Sequence, residues 1–125
     1  MSSPSATPKR YPYQNEPIWS RSERTIARKV FDAALKRELQ EIMQEAKRVA
    51  SQIKEPADVW KLERFLTQRR KDIDRKYEFR SSRLTRVLGM LLSEHRISEE
   101  ELRRLQEDKV KAIRSCAAVL SEDAA

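Results

Sequence analysis

The sequence predicts an all-α protein: two long antiparallel helices form a dimeric body, and two shorter helices form a small head. Three observations carry this. Gly occurs once, and all five Pro lie at or before Pro56, so most of the chain has no residue that breaks a helix. Apolar residues recur three or four positions apart, not two. Charged residues make up 38% and aromatics 6%, a composition of solvated helices, not of strands and turns. The 125 residues suffice for one domain with a modest core.

Residues 1–16 carry Ser, Pro, Thr and Asn without apolar periodicity and read as a disordered tail. The first helix should start near Ser20, because Ser20 and Glu23 have the spacing of a capping box, with Ser22 as a competing cap. It should run to about Ile53. Within it Leu35, Leu39, Ile42, Ala46, Val49 and Ile53 alternate steps of four and three, a packing seam that Phe31 extends upstream. Pro56 clashes with a preceding helical turn but suits the first turn of a new one, so the second helix should begin there.

The stretch 59–86 organises the rest. It lacks Gly and Pro, and Val59, Leu62, Leu66, Ile73, Tyr77, Leu84 and Leu88 stay near one line of a helix. A helix of that length would span ~40 Å, against a radius of gyration of roughly 14 Å for a compact domain of this size. Such a rod overhangs its own monomer, and a second copy of the chain is the expected cover. Leu35, Leu39, Ile42 and Val49 of the first helix and Leu62, Leu66 and Ile73 of the second are the expected dimer interface. The helix should continue to about Arg80, where Ser81 and Ser82 either end it or bend it. The body thus covers 17–83 and the head 84–120.

The head opens with Leu84, Val87, Leu88, Leu91 and Leu92. Gly89 among them marks either close approach of another helix or a tolerated break costing ~1 kcal/mol. His95 has no second ligand at metal spacing and reads as a turn residue. Ser98 and Glu101 form a second capping box, with Ile97 and Leu102 as its hydrophobic staple. Leu102, Leu105, Ile113, Cys116 and Leu120 then give the buried stripe of the last helix, and 121–125 should fray. Cys116 reads as a small buried hydrophobe. Being the only cysteine, it excludes an internal disulfide, which fits a reducing compartment.

No signal peptide or membrane-spanning run is evident, so the expected location is the cytoplasm, without membrane insertion. One His, one Cys and one Gly supply neither a catalytic pair nor a phosphate-binding loop, so no enzyme, cofactor or metal site is expected. What remains is action through the surface. The net charge is +7, and ten Lys/Arg against four Asp/Glu fall between Lys61 and Arg86. Arg69, Lys76, Arg80 and Arg83 share one side of the second helix. They form either a phosphate track, making the chain a helical nucleic-acid binder, or a set of cations paired with Glu38, Glu41 or Glu45 of a neighbouring helix. Trp60 lies about 120° from the apolar line, followed by Arg64, Thr67 and Lys71. It is either a binding anchor or a ring packed on a neighbour.

The motifs PIWS at 17–20, KREL at 36–39 and above all VWKLERFLTQRRKDIDRKYEFR at 59–80 resemble the fluorescence recovery proteins of cyanobacteria. Weaker agreement continues through Leu91–Leu92, 100–102 and 108–113. The resemblance covers 17–120. It implies an all-α homodimer with a long-helix body and a helical head. It also implies a photoprotective regulator without chemistry of its own, which binds the photoactivated orange carotenoid protein and hastens its return to the orange form. Such a mechanism works by differential affinity for conformational states. The family tryptophan falls at Trp60 and an arginine at Arg70. Where cyanobacterial members carry Asp one turn after the tryptophan, this chain has Arg64. An expected aromatic in the head falls at Arg86, and an expected lysine falls at Ala112 beside Lys111. Trp60, Arg64, Arg70, Arg86 and Lys111 are therefore the expected partner-binding residues. The departures point to relatives in bacteria that lack phycobilisomes, in which the partner would be another protein.

Overall fold

A computed structural model describes residues 18–124, with the side chains of 18–122. The expected tail, 1–16, lies outside the described residues. The order is α1 (Arg21–Ser51), a 3-10 turn (Pro56–Asp58), α2 (Val59–Lys76), a second 3-10 turn (Ser81–Arg83), α3 (Leu84–Ser93), a third (Glu100–Leu102) and α4 (Glu107–Ala124). The all-α expectation holds: the described residues contain helices and no strand.

The first helix starts where the capping box placed it. The Ser20 hydroxyl accepts from the Glu23 N–H at 3.1 Å, and the Glu23 carboxylate accepts from the Ser20 N–H at 3.1 Å. Its 31 residues make a rod of about 46 Å. The turn to α2 is closed by Asp58, whose carboxylate accepts the Lys54 and Glu55 N–H groups at 3.1 Å each. Those donors hold the Asp58 carboxyl below its ordinary value.

α2 is shorter than its sequence suggests. It stops at Lys76 after 18 residues, about 27 Å, so the overhanging rod is α1 and not 59–86. The cause is aromatic packing. The ring of Phe31 meets Tyr77 and Phe79 edge-on, with centroids 5.3 and 5.2 Å away. Residues two apart on a helix point about 200° from each other, so both rings reach Phe31 only if the helix ends first. The Arg28 guanidinium covers Phe79 at 4.6 Å.

The core joins the first half of α1 to the head. Trp19, Ala27, Val30, Phe31 and Ala34 pack with Leu84, Leu88, Leu91, Ile97, Leu102 and Ile113. Gly89 is a point of close helix approach: a Cβ there would sit 2.7 Å from the Cys116 Cβ. Cys116 itself is fully buried. α3 ends in a Schellman cap, with the Arg96 N–H on the Leu91 carbonyl (2.9 Å) and the His95 N–H on that of Leu92 (3.0 Å). His95 takes the left-handed conformation this cap requires, φ 61°, in keeping with a turn residue.

The Ser98–Glu101 box forms, with the Ser98 N–H on the Glu101 carboxylate at 3.0 Å. It opens only one 3-10 turn, and the last helix proper begins at Glu107. The start of α4 is set from outside: the Glu23 carboxylate accepts the Gln106 N–H at 3.2 Å and pairs with Lys109 at 3.0 Å. α4 stays helical to Ala124, through most of the stretch where fraying was expected.

Candidate functional site

The two sides of α2 differ in chemistry. Its inner side carries Arg69 and Lys76 onto Glu38 of α1. Glu38 is 1% exposed and collects Lys76 at 2.9 Å, the Tyr77 hydroxyl at 2.8 Å, Arg96 at 3.3 Å and Arg69 at 3.4 Å. Burial works to raise the Glu38 carboxyl, but hydrogen bonds from Lys76 and Tyr77 and the charges of Lys76 and Arg96 hold it below the ordinary glutamate range. The same burial, with the Glu38 charge, pushes the Tyr77 phenol well up. Lys76 and Arg96 also share Glu94 at 2.9 Å each, and Arg96 reaches Glu41 at 2.6 Å. This cluster ties α1, the end of α2 and the end of α3 together.

The four cations proposed as a phosphate track are each ion-paired, two on α2 and two beyond its end. Arg69 and Lys76 are held by Glu38, and Arg80 and Arg83 face Glu78 at 2.9 and 3.7 Å. Of the two readings open from sequence, the structure takes pairing with α1 of the same chain for Arg69 and Lys76, while Arg80 and Arg83 pair only locally with Glu78.

The outer side is open. Trp60 stands in the first turn of α2 and is 60% exposed, with Val59 beside it. Arg64, Arg70 and Lys71 are exposed, and Arg75 follows near the end of the helix. Among the described residues no carboxylate pairs with any of these four cations. The sequence alternative in which Trp60 packs on a neighbouring helix is not realised within the chain.

The remaining candidates lie elsewhere. Arg86 is half-buried on α3, lining a groove of about 630 Å³ with Arg75, Val87 and Met90. That groove is at the opposite end of α2 from Trp60, about 22 Å along the helix. Lys111 is exposed on α4, two residues from Lys109 on Glu23 in the first turn of α1; Ala112 is half-buried. A single chain thus groups Trp60, Arg64 and Arg70 on one helix and does not bring Arg86 or Lys111 to them. Of the seven expected interface residues, Leu39 and Leu66 are exposed and Leu35, Ile42, Val49, Leu62 and Ile73 half-buried.

Glu38 was expected only as one of three possible partners for the α2 cations, and its burial was not read from the sequence. Its signal is the ladder Ala27, Phe31, Ala34, Glu38, spaced four, three and four, in which a carboxylate occupies the next buried rung. Among the described residues, no three His, Cys, Asp or Glu are grouped to hold a metal ion, and no helix is long and apolar enough to cross a membrane.

Residues 19–117 match the family described as photoprotection regulator fluorescence recovery protein. The fluorescence recovery protein of Synechocystis sp. PCC 6803 is 38% identical over 102 residues, covering 82% of this chain and 94% of that relative. Its solved structure superposes with a TM-score of 0.75 over 81% of this chain and 99% of that chain. The fluorescence recovery protein structure from Fremyella diplosiphon, 34% identical, also gives 0.75 over the same shares. Identity at this level over nearly the whole relative, with a shared helical architecture, makes the chain a member of the fluorescence recovery protein family of photoprotection regulators.

Proposed function

We propose that the chain is a dimeric, cytoplasmic regulator that works by binding another protein, in the family role the photoactivated orange carotenoid protein, whose return to the orange form it accelerates. The observation that carries this reading is the outer face of α2. A 60% exposed Trp60 is held there with Arg64 and Arg70 on the same helix. Aromatic and arginine side chains presented this way are typical anchors of a protein interface. The regulator needs no chemistry of its own: binding one state of its partner more tightly than the other shifts the partner's equilibrium.

Dimerisation is supported by what the single chain leaves uncovered. α2 contains no buried residue, and Leu39, Met43, Val59 and Leu66 are exposed along the hairpin. A second copy would cover Leu35, Leu39, Ile42, Val49, Leu62, Leu66 and Ile73. Sedimentation should show a dimer for the wild type and monomers for Leu39→Glu and Leu66→Glu. The test of function is to add the protein to photoactivated orange carotenoid protein and time the recovery. Faster recovery that is lost in Trp60→Ala supports the reading, and an unchanged rate removes this partner.

Arg64 favours a second reading, in which the same surface serves a different protein. Its charge is opposite to that of the Asp typical of cyanobacterial members, and it stands exposed.

A further inference from the structure

The cations of α2 divide into two populations. Arg69 and Lys76 are held by Glu38, and Lys61 by Asp58 at 3.5 Å. Arg64, Lys71 and Arg75 have no carboxylate partner among the described residues, nor does Arg70, which lies about 80° from Trp60 on the side of Glu63 and Asp74. At about 100° per residue, Arg64, Lys71 and Arg75 lie with Trp60 inside a sector of about 60°. They occupy successive levels over about 22 Å of helix. The face thus has one large apolar anchor at its start and three unneutralised positive charges below it.

We infer that this face docks an acidic helical segment of a partner protein, one that covers Trp60 with apolar side chains and sets carboxylates against Arg64, Lys71 and Arg75. The inference rests on the surface proposed above and adds the chemistry of what binds there. A second helix laid along α2 meets the cations at intervals of seven and four residues, so carboxylates spaced i, i+4 and i+11 on an antiparallel helix reach all three. Trp60 supplies affinity, because 60% of it is still exposed and a whole aromatic side chain buries roughly 150–250 Å². The charges supply register and association rate more than affinity.

The pattern disfavours a continuous polyanion. Glu63 and Asp74 lie about 40–60° to one side of Trp60 on the same helix, and both are exposed. A phosphate backbone or an anionic bilayer would bring negative charge against them along its whole length. A protein helix can place carboxylates only where the cations are.

The test uses the full chain and a designed, labelled helical peptide with Leu at the Trp60 level and Glu at i, i+4 and i+11, followed by fluorescence anisotropy. A matched peptide carries Gln for Glu. Binding of the Glu peptide, weakened at least about tenfold by the Gln exchange or by the triple variant Arg64→Gln, Lys71→Gln, Arg75→Gln, supports the inference. The control variant Arg80→Gln, Arg83→Gln, Arg103→Gln removes as many charges from ion-paired positions and should bind as the wild type does. Circular dichroism should be unchanged in both variants. Equal binding of the two peptides, equal loss in the control, no peptide binding, or tighter retention of a DNA duplex or phosphatidylglycerol vesicles overturns it. In the carotenoid-protein assay, loss of activity in Trp60→Ala but not in the triple variant keeps the surface and overturns the acidic partner. Peptide binding as inferred with an unchanged recovery rate removes the carotenoid protein and leaves the acidic segment standing.

Discussion

Leu88 in α3 and Leu66 in α2 are both leucines on an apolar helical stripe, yet Leu88 is sealed and Leu66 is 43% exposed. The contrast extends to the regions they belong to. The head, with the first half of α1, holds the buried core; α2 and α1 beyond Glu38 hold no buried residue. Full burial of a leucine contributes about 1.5–3 kcal/mol. In the head that gain stabilises the single chain. In the body much of it stays unrealised until something else covers the stripe. Periodicity reports that a face is to be buried and is silent on what buries it.

The largest effect should come from cutting the tie between the two regions. Glu38→Ala removes the buried carboxylate on which Lys76, Arg69, Arg96 and the Tyr77 hydroxyl converge and should cost about 3–5 kcal/mol in urea unfolding. Hydrogen exchange should quicken in α2 more than in α3 and α4; uniform quickening would mean that the two regions unfold as one. The same carboxylate makes the tie acid-sensitive. Its folded value is lowered, so its stabilisation is complete above the unfolded glutamate value of about 4.3 and is lost as pH falls through the folded value. Glu23, also lowered, should behave alike where α4 meets α1. A melting temperature independent of pH between neutral and strongly acidic solution would contradict both.

Next in size, Leu88→Ala should cost about 2–5 kcal/mol, while Leu66→Ala should mostly weaken association, read as a concentration-dependent shift in sedimentation. Equal loss of stability at any concentration would erase the distinction between the regions. Gly89→Ala should cost about 1–3 kcal/mol through overpacking against Cys116, and Cys116→Gly in the same chain should recover part of it. A neutral Gly89→Ala would mean that α3 and α4 separate easily. The smallest effect on folding belongs to the binding face: Trp60→Ala should change stability by less than about 0.5 kcal/mol while abolishing partner binding. A large drop in melting temperature would place the indole in an interface between copies.

Local signals were legible wherever a short rule sufficed. The Ser20–Glu23 box and Pro56 marked two helix starts, because a cap needs only its own neighbours. Two boundaries were misread for the opposite reason. Tyr77 and Phe79 leave the helix to reach Phe31, nearly fifty residues upstream, and Gln106 gives its N–H to Glu23. The fluorescence recovery family was legible in the run 59–80, and Trp60 stands exposed on a helix within it.

The sequence by itself determined that the chain is helical, where its first two helices begin and which family it belongs to, since spacing, caps and motif are properties of adjacent residues. Only the tertiary structure decided which charges are consumed and which are left. Arg69 and Arg75 look alike in the chain, but one is bent onto a carboxylate shut inside the fold and the other points to solvent. Neutralisation depends on what the opposite helix offers at a given level, and that is fixed only once the helices lie side by side.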